Sequence, residues 1–223
     1  VLSFILTENM RLLFCFGIIA LAAFAQPRRN QPRGEAGKFD YYVLSLSWSP
    51  QYCSTPAGER DNLQCGGHRR FGFVAHGLWP QFERGWPQFC ATGTEPSQAE
   101  VKSILDIMPS ARLVRHEWSK HGTCSGLNAT QYLTLVRKAY QAVRTPPEFS
   151  GPRQQVQVKP AQLKKRFIET NNLAGDGSVA VLCTGRFLSE VRVCFDKNLK
   201  SRACGADVRD QCRVPEMIMQ PVR

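Results

Sequence analysis

FDYYVLSLSW, residues Phe39 to Trp48, is the stretch on which the fold turns. Tyr42, Leu44, Leu46 and Trp48 fall on one side and Tyr41, Val43, Ser45 and Ser47 on the other, the two-residue period of a strand. Pro50 ends the run. A second apolar run, Phe71 to Ala75, leads straight into His76-Gly-Leu-Trp-Pro80. Near the far end of the chain, Val179 to Cys183 and Phe187 to Phe195 read as two more strands separated by Thr184-Gly-Arg186. Between these ends the pattern is helical. Ser97-Gln-Ala-Glu100 is a capping box that opens a helix predicted to reach about Met108, where Pro109 stops it. Leu113 to Gly122 reads as a further helix, and Asn128 to Arg144 carries Leu133, Val136, Ala139, Tyr140 and Val143 at helical spacing. Gly151 to Lys159 reads as a loop before a basic helix from Pro160 to about Asn171. Strands at both ends with helices gathered between them predict an α+β domain, a mainly antiparallel central sheet flanked by helices.

The sequence ahead of this domain reads as an address. After Met10 come one cation, Arg11, an apolar stretch from Leu12 to Phe24, and the small-x-small triplet Ala23-Phe24-Ala25, the three-part pattern of a secretory signal peptide. A membrane-spanning helix needs roughly 20 apolar residues, more than this run supplies before Pro27 and its arginines. Residues 1–25 are therefore expected to be upstream residues plus a signal peptide, 26–38 a disordered lead-in poor in apolar residues, and 39–223 a single domain. The expected destination is secreted or periplasmic, with no membrane span in the mature form.

Setting aside Cys15, eight cysteines remain: Cys53, Cys65, Cys90, Cys124, Cys183, Cys194, Cys204 and Cys212. An even count behind an export signal predicts disulfides, and no pair has the close spacing of a structural zinc site. Lysine and arginine outnumber aspartate and glutamate by 29 to 18, for a net charge of +11, so the surface attracts polyanions such as nucleic acid.

Three of the four histidines fall in two short blocks, Phe71-Gly-Phe-Val-Ala-His76-Gly-Leu-Trp-Pro80 and His116-Glu-Trp-Ser-Lys-His121-Gly-Thr-Cys124. His68, among glycines and arginines, reads as structural. On a helix Glu117 and His121 share a face. The second block superficially suggests a zinc protease motif, but His116 and His121 are five apart, about 140° around a helix, and do not converge on one ion. General acid and base catalysis fits better, because an imidazole both accepts and donates a proton near neutral pH. Cleaving RNA without a metal needs one such group to take the ribose 2′-hydroxyl proton and another to protonate the departing 5′-oxygen. A cation such as Lys120 would offset the charge that builds on phosphorus.

The HGLWP and HEWxKHGTC blocks, in this order, resemble the two active-site signatures of the ribonuclease T2 family. The resemblance runs from about Phe39 to Cys212 and takes in Trp48-Ser-Pro-Gln-Tyr-Cys53 and Glu190-Val-Arg-Val-Cys194. It implies a T2-type endoribonuclease that needs no metal or cofactor and cuts single-stranded RNA through a 2′,3′-cyclic phosphate to 3′-phosphate ends, with low base specificity. It further implies that His121 is the general base and His76 the general acid in the first step, that His116 contacts the phosphate, and that Glu117 and Lys120 stabilise the phosphorane. Trp79 would be a base-stacking platform, with Phe82 and Trp86 as weaker candidates, and Gln81 and Trp118 are further substrate-binding candidates. Gln81 departs from the pattern of members that carry Asp at that position, which leaves base preference open. The implied disulfides are Cys90–Cys124, Cys183–Cys212 and Cys194–Cys204, with Cys53–Cys65 remaining.

RNA is thus the expected partner, DNA is excluded by the need for a 2′-hydroxyl, and a monomer is expected. A competing expectation, motivated by the charge, is a basic secreted RNA-binding or cytotoxic protein whose catalysis is secondary. Asn128-Ala-Thr130 is a glycosylation sequon, but Asn128 is better placed as a helix N-cap with Gln131 as its reciprocal partner.

Overall fold

The structure, a computed structural model, describes residues 34–67, 69–91 and 95–222. The segment expected to be a signal peptide, most of the expected lead-in and His68 lie outside the described residues. Strand β1 (Tyr41–Trp48) is the alternating run, and it pairs antiparallel on one side with β2 (Phe73–Gln81) and on the other with β5 (Phe187–Phe195). Strand β4 (Val179–Thr184) pairs antiparallel with β5. Two three-residue strands, β3 (Val156–Val158) and β6 (Met217–Met219), complete the sheet, giving the path β2-β1-β5-β6-β3 with β4 alongside β5. The one parallel contact is between β5 and β6, so the sheet is mainly antiparallel, as expected.

The two faces of β1 have different surroundings. Tyr42, Leu44, Leu46 and Trp48 enter the main core with Phe73, Ala75 and Leu78 of β2 and Val191 and Val193 of β5. Helix α5 (Ala129–Gln141) covers this face with Tyr132, Leu133, Val136 and Ala139, and α6 (Pro160–Asn171) adds Leu163 and Phe167. Each large apolar side chain so buried contributes about 1.5–3 kcal/mol. The other face carries Tyr41 and Val43, packed with Cys194 and beside Trp79 and Cys204. This smaller cluster borders the polar groups described below.

Strand β2 is an edge strand, and α5 holds it from behind. Tyr132 Oη donates to the Leu78 carbonyl at 2.7 Å and Tyr140 Oη to the Phe73 carbonyl at 2.9 Å, while Ala75 N–H donates to the Ile107 carbonyl at 2.9 Å. These bonds occupy backbone groups that an open edge would expose.

Two short helices, α1 (Ser49–Cys53) and α2 (Asn62–Cys65), follow β1. Helix α3 (Gln98–Lys102) begins at the expected capping box, with Ser97 Oγ accepting from Glu100 N–H and Glu100 Oε2 accepting from Ser97 N–H. It ends six residues short of Met108, in turns that bury Ile104, Ile107 and Met108. Helix α4 (Ala111–Lys120) starts at the Ser110 cap and stops at His121, so the helix expected to reach Gly122 gives way there to a 3-10 turn, Gly122–Ser125. Asn128 and Gln131 form the reciprocal cap of α5.

Four disulfides are formed: Cys53–Cys65, Cys90–Cys124, Cys183–Cys212 and Cys194–Cys204. Residues 34–38 correct the expectation of disorder throughout the lead-in. Gly37 N–H donates to the Cys124 carbonyl at 2.9 Å, and Gly34 packs against Pro87 and the Cys90 sulfur. The second correction concerns the stretch read as a loop from Gly151 to Lys159, in which Val156–Val158 pairs with Met217–Met219. Among the described residues, no helix is long and apolar enough to cross a membrane.

Candidate active site

His76 owes its position to an irregularity in β2. Opposite β1, Leu46 faces Ala75 and the next residue, Ser45, faces Gly77, so His76 is the extra residue of a β-bulge. A bulge re-aims the side chain it carries. His76 thereby turns to the face away from the main core, where Ser47 and Ser45 of β1 and Glu190 and Arg192 of β5 also point, paired Ser47 to Glu190 and Ser45 to Arg192.

Two carboxylates flank the His76 ring. Nδ1 lies 2.7 Å from Glu190 Oε1, and Nε2 lies 3.7 Å from Glu117 Oε1. Burial alone would strip His76 of its proton, but the Glu190 hydrogen bond and the Glu117 charge outweigh it and raise its pKa. Burial likewise disfavours charge on Glu190, yet the bond to His76 and the ion pair with Arg192 bring its pKa down to about 2. Arg192 grips the other oxygen, with Nε at 3.0 Å and Nη2 at 2.8 Å from Oε2.

Glu117 comes from the inner side of α4 and is 2 % exposed. Burial raises its pKa, against the pull of His76, the Trp79 N–H and Lys120. Trp79 Nε1 donates to Glu117 Oε2 at 2.6 Å. The close approach of Glu117 to β2 requires Gly77, since a Cβ there would run into Glu117 Oε2 and Trp79 Nε1.

His121 sits at the C-cap of α4 in a contrasting setting. It is buried, and its Nδ1 has no hydrogen-bond partner among the described protein groups. Burial first, and then the charges of Lys120, His76 and His116, push its pKa down to about 2, so it is neutral. His116 is exposed, and its pKa is lowered by partial burial and by Lys120, His76 and Arg112. Both imidazoles touch one indole: His76 meets Trp79 edge-on at 5.2 Å between centroids and His121 stacks on it at 5.3 Å.

The bridge Cys90–Cys124 closes this arrangement from outside. Beside it Phe89 N–H donates to the Lys120 carbonyl at 2.8 Å and Cys90 N–H to Thr123 Oγ1 at 3.2 Å. Phe89 is held at φ +53°, a strained conformation for so bulky a residue. A cavity of about 520 Å³ opens next to His76 and His116, lined also by Ser47, Tyr52, Arg112 and Leu113.

Of the residues singled out from sequence, the structure thus gathers His76, Trp79, Glu117 and His121 into one contact network, with His116 and Lys120 acting on it through their charge. The three expected substrate-binding residues Trp118, Gln81 and Trp79 lie in enclosed settings. Trp118 is 3 % exposed and packs on Tyr132, 5.7 Å away, because it lies on the core side of α4. Gln81 is buried at the end of β2. Trp79 is no open platform, since His121, His76 and Arg192, 4.9 Å from its ring, already occupy it. Phe82 packs against the core, whereas Trp86 is exposed. Sequence reasoning passed over the roles of Glu190 and Arg192. Their spacing of two on a strand puts them on one face, but nothing in the sequence shows that this face meets His76.

Comparison with known proteins shows the family. The Ribonuclease T2 family matches residues 39–204. A ribonuclease of Aeromonas hydrophila is 36% identical over 200 residues, covering 86% of this chain and 91% of that protein. Ribonuclease I of Escherichia coli strain K12 is 32% identical over 142 residues, covering 45% of this chain and 53% of its own length. Among solved structures, trichomaglin, described as a novel S-like ribonuclease, superposes with a TM-score of 0.68 over 83% of this chain and all of its own at 18% identity, a likeness of fold. With one family spanning both histidine blocks and a relative matched over nearly its whole length, the chain belongs to the ribonuclease T2 family and is an endoribonuclease of the T2 type.

Proposed function

We propose that the protein cleaves single-stranded RNA by transphosphorylation, with His121 as general base and His76 as general acid. The observation that carries this reading is the opposite electrostatic setting of two imidazoles on one indole. A neutral His121 starts the reaction able to accept the 2′-hydroxyl proton, and a His76 whose protonated form the carboxylates favour is suited to donate. The 2′-oxygen attacks phosphorus, the bond to the 5′-oxygen breaks, and His76 protonates that leaving oxygen. An incoming phosphate offsets the charge of Lys120, which raises the basicity of His121 when substrate is bound. Lys120 would also balance the charge that develops on the phosphorane, with His116 contacting the phosphate and Glu117 orienting Trp79 and His76.

In the second step the roles reverse: His76 activates water, His121 protonates the 2′-oxygen, and the cyclic phosphate opens to a 3′-phosphate. DNA, lacking the attacking hydroxyl, would not be cut. The cavity beside His76 and His116 is the natural seat for a nucleoside next to the scissile phosphate. Its lining combines apolar contact area from Val74, Ala75 and Leu113 with polar groups from Ser47, Tyr52, Gln64 and Arg112. The segment 1–25 would direct the chain to a secreted or periplasmic location, where its disulfides are stable, and the enzyme would act as a monomer.

The test is digestion of a defined RNA in excess EDTA with mapping of the products. Undiminished activity and 2′,3′-cyclic ends maturing to 3′-phosphates are expected. Loss of activity in EDTA, or products ending in 5′-phosphates, would overturn the mechanism.

A further inference from the structure

We infer that Glu190, braced by Arg192, is a positioning residue that fixes which nitrogen of His76 carries the transferable proton. The inference rests on the reading of His76 as an acid and base. An ionised carboxylate only accepts hydrogen bonds, so the 2.7 Å contact makes His76 Nδ1 the donor and keeps that nitrogen protonated. The proton that comes and goes is then the one on Nε2, which faces Glu117 across 3.7 Å.

Glu190 is locked at both oxygens, Oε1 by His76 and Oε2 by Arg192, so it cannot turn away without losing one of them. Arg192 lies in turn over the Trp79 ring. The strand geometry explains why the Glu190-Val-Arg192 run does this. Glu190 and Arg192 share a face of β5 while Val191 between them is fully buried in the core. Their β1 neighbours on that face, Ser47 and Ser45, are small and leave room for both side chains.

The charged and titratable groups around His76 are Glu190 and Arg192 from β5, Glu117, His116 and Arg112 from α4, and His121 at its end. Strand β1 contributes Ser47, which does not titrate. Glu190 alone among the described residues hydrogen-bonds Nδ1.

Two variants and one measurement on the unaltered enzyme test the assignment. In Glu190→Gln the amide oxygen still accepts from Nδ1 but the charge is gone. The alkaline limb of the kcat profile should move to lower pH, because a less stabilised imidazolium loses its proton sooner, while KM stays within about twofold. Glu190→Ala also loses the orientation, and kcat should fall by about 10²-fold, further than in Glu190→Gln. A merely structural role would lower Tm and leave the alkaline limb where it was, and that result overturns the inference. In the wild-type enzyme, nitrogen NMR of labelled histidine should find neutral His76 protonated on Nδ1, and a proton on Nε2 overturns the inference even if neither variant folds. Failure of the underlying reading looks different: His76→Ala would then retain full activity, whatever the NMR result.

Discussion

His76 and His121 are the same side chain in opposite surroundings. One rides on a bulged strand between two carboxylates, and the other caps a helix beside Lys120 with a buried nitrogen that has no partner among the described residues. The difference teaches that the electrostatic setting of each imidazole is fixed by neighbours drawn from distant parts of the chain. Glu190 lies 114 residues from His76, and no residue next to His76 in sequence carries a charge. Trp79 is where the two settings meet, a rigid spacer that touches both rings and hydrogen-bonds Glu117.

The strongest way to break the comparison is to delete either member. His76→Ala and His121→Ala should each lower kcat by at least ~10², and the double variant should lose much less than the product of the two, because the groups act as a unit. Single-turnover cleavage of a dinucleotide measures this. Independent, multiplicative losses would show that the two rings do not serve one reaction.

Removing the bridge that fastens the helix-borne half comes next. Replacing Cys90 and Cys124 together with Ala should cost about 2–4 kcal/mol of unfolding free energy, read by urea titration, with a drop in kcat larger than in KM. An unchanged kcat in the folded variant would mean that this bridge does not help hold the catalytic groups in line.

Trp79→Phe keeps an aromatic ring but removes the donor to buried Glu117. The cost is about 1–3 kcal/mol of stability, and kcat/KM should fall while RNA binding persists. Equal losses in binding and turnover would restore Trp79 to a base-stacking role.

The gentlest test sharpens the contrast through pH and stability. The pKa of His121 is depressed on folding, so its contribution is full above the unfolded value of about 6.5 and is lost as pH falls from there towards 2. That of His76 is raised, so its contribution is full below the unfolded value and is lost as pH rises through the folded one. Melting curves of His121→Asn should therefore lose some of the wild type's sensitivity to acid, and those of His76→Asn some of its sensitivity to alkali. Identical pH dependence in both variants would contradict the asymmetry.

Much of this was legible in the sequence because it is local. The alternation in Phe39–Trp48, the Asn128 cap and the Pro160 helix start each depend on side chains within a few residues of one another. Strands of three residues, Val156–Val158 and Met217–Met219, show no period at that length and are defined by pairing with each other and, for Met217–Met219, with β5. The two histidine blocks named the groups from which the proposed acid and base are drawn. They could not show that Trp118 faces inward, that Gln81 is buried, or that Glu190 crosses the sheet to reach His76, since each depends on how α4 and β5 lie against β2.

The bulge at His76 has an evolutionary consequence. Either side of it the strand is already in step, with Phe73 and Ala75 turned to the core, Gly77 to the opposite face and Leu78 to the core again. Excising that single residue would leave an unbroken ladder and an uninterrupted alternation, so the protein would be a more regular sheet without it. Selection for a sturdier fold alone would tend to erase this residue, so the proposed role of His76 in turnover supplies a reason for the irregularity to persist.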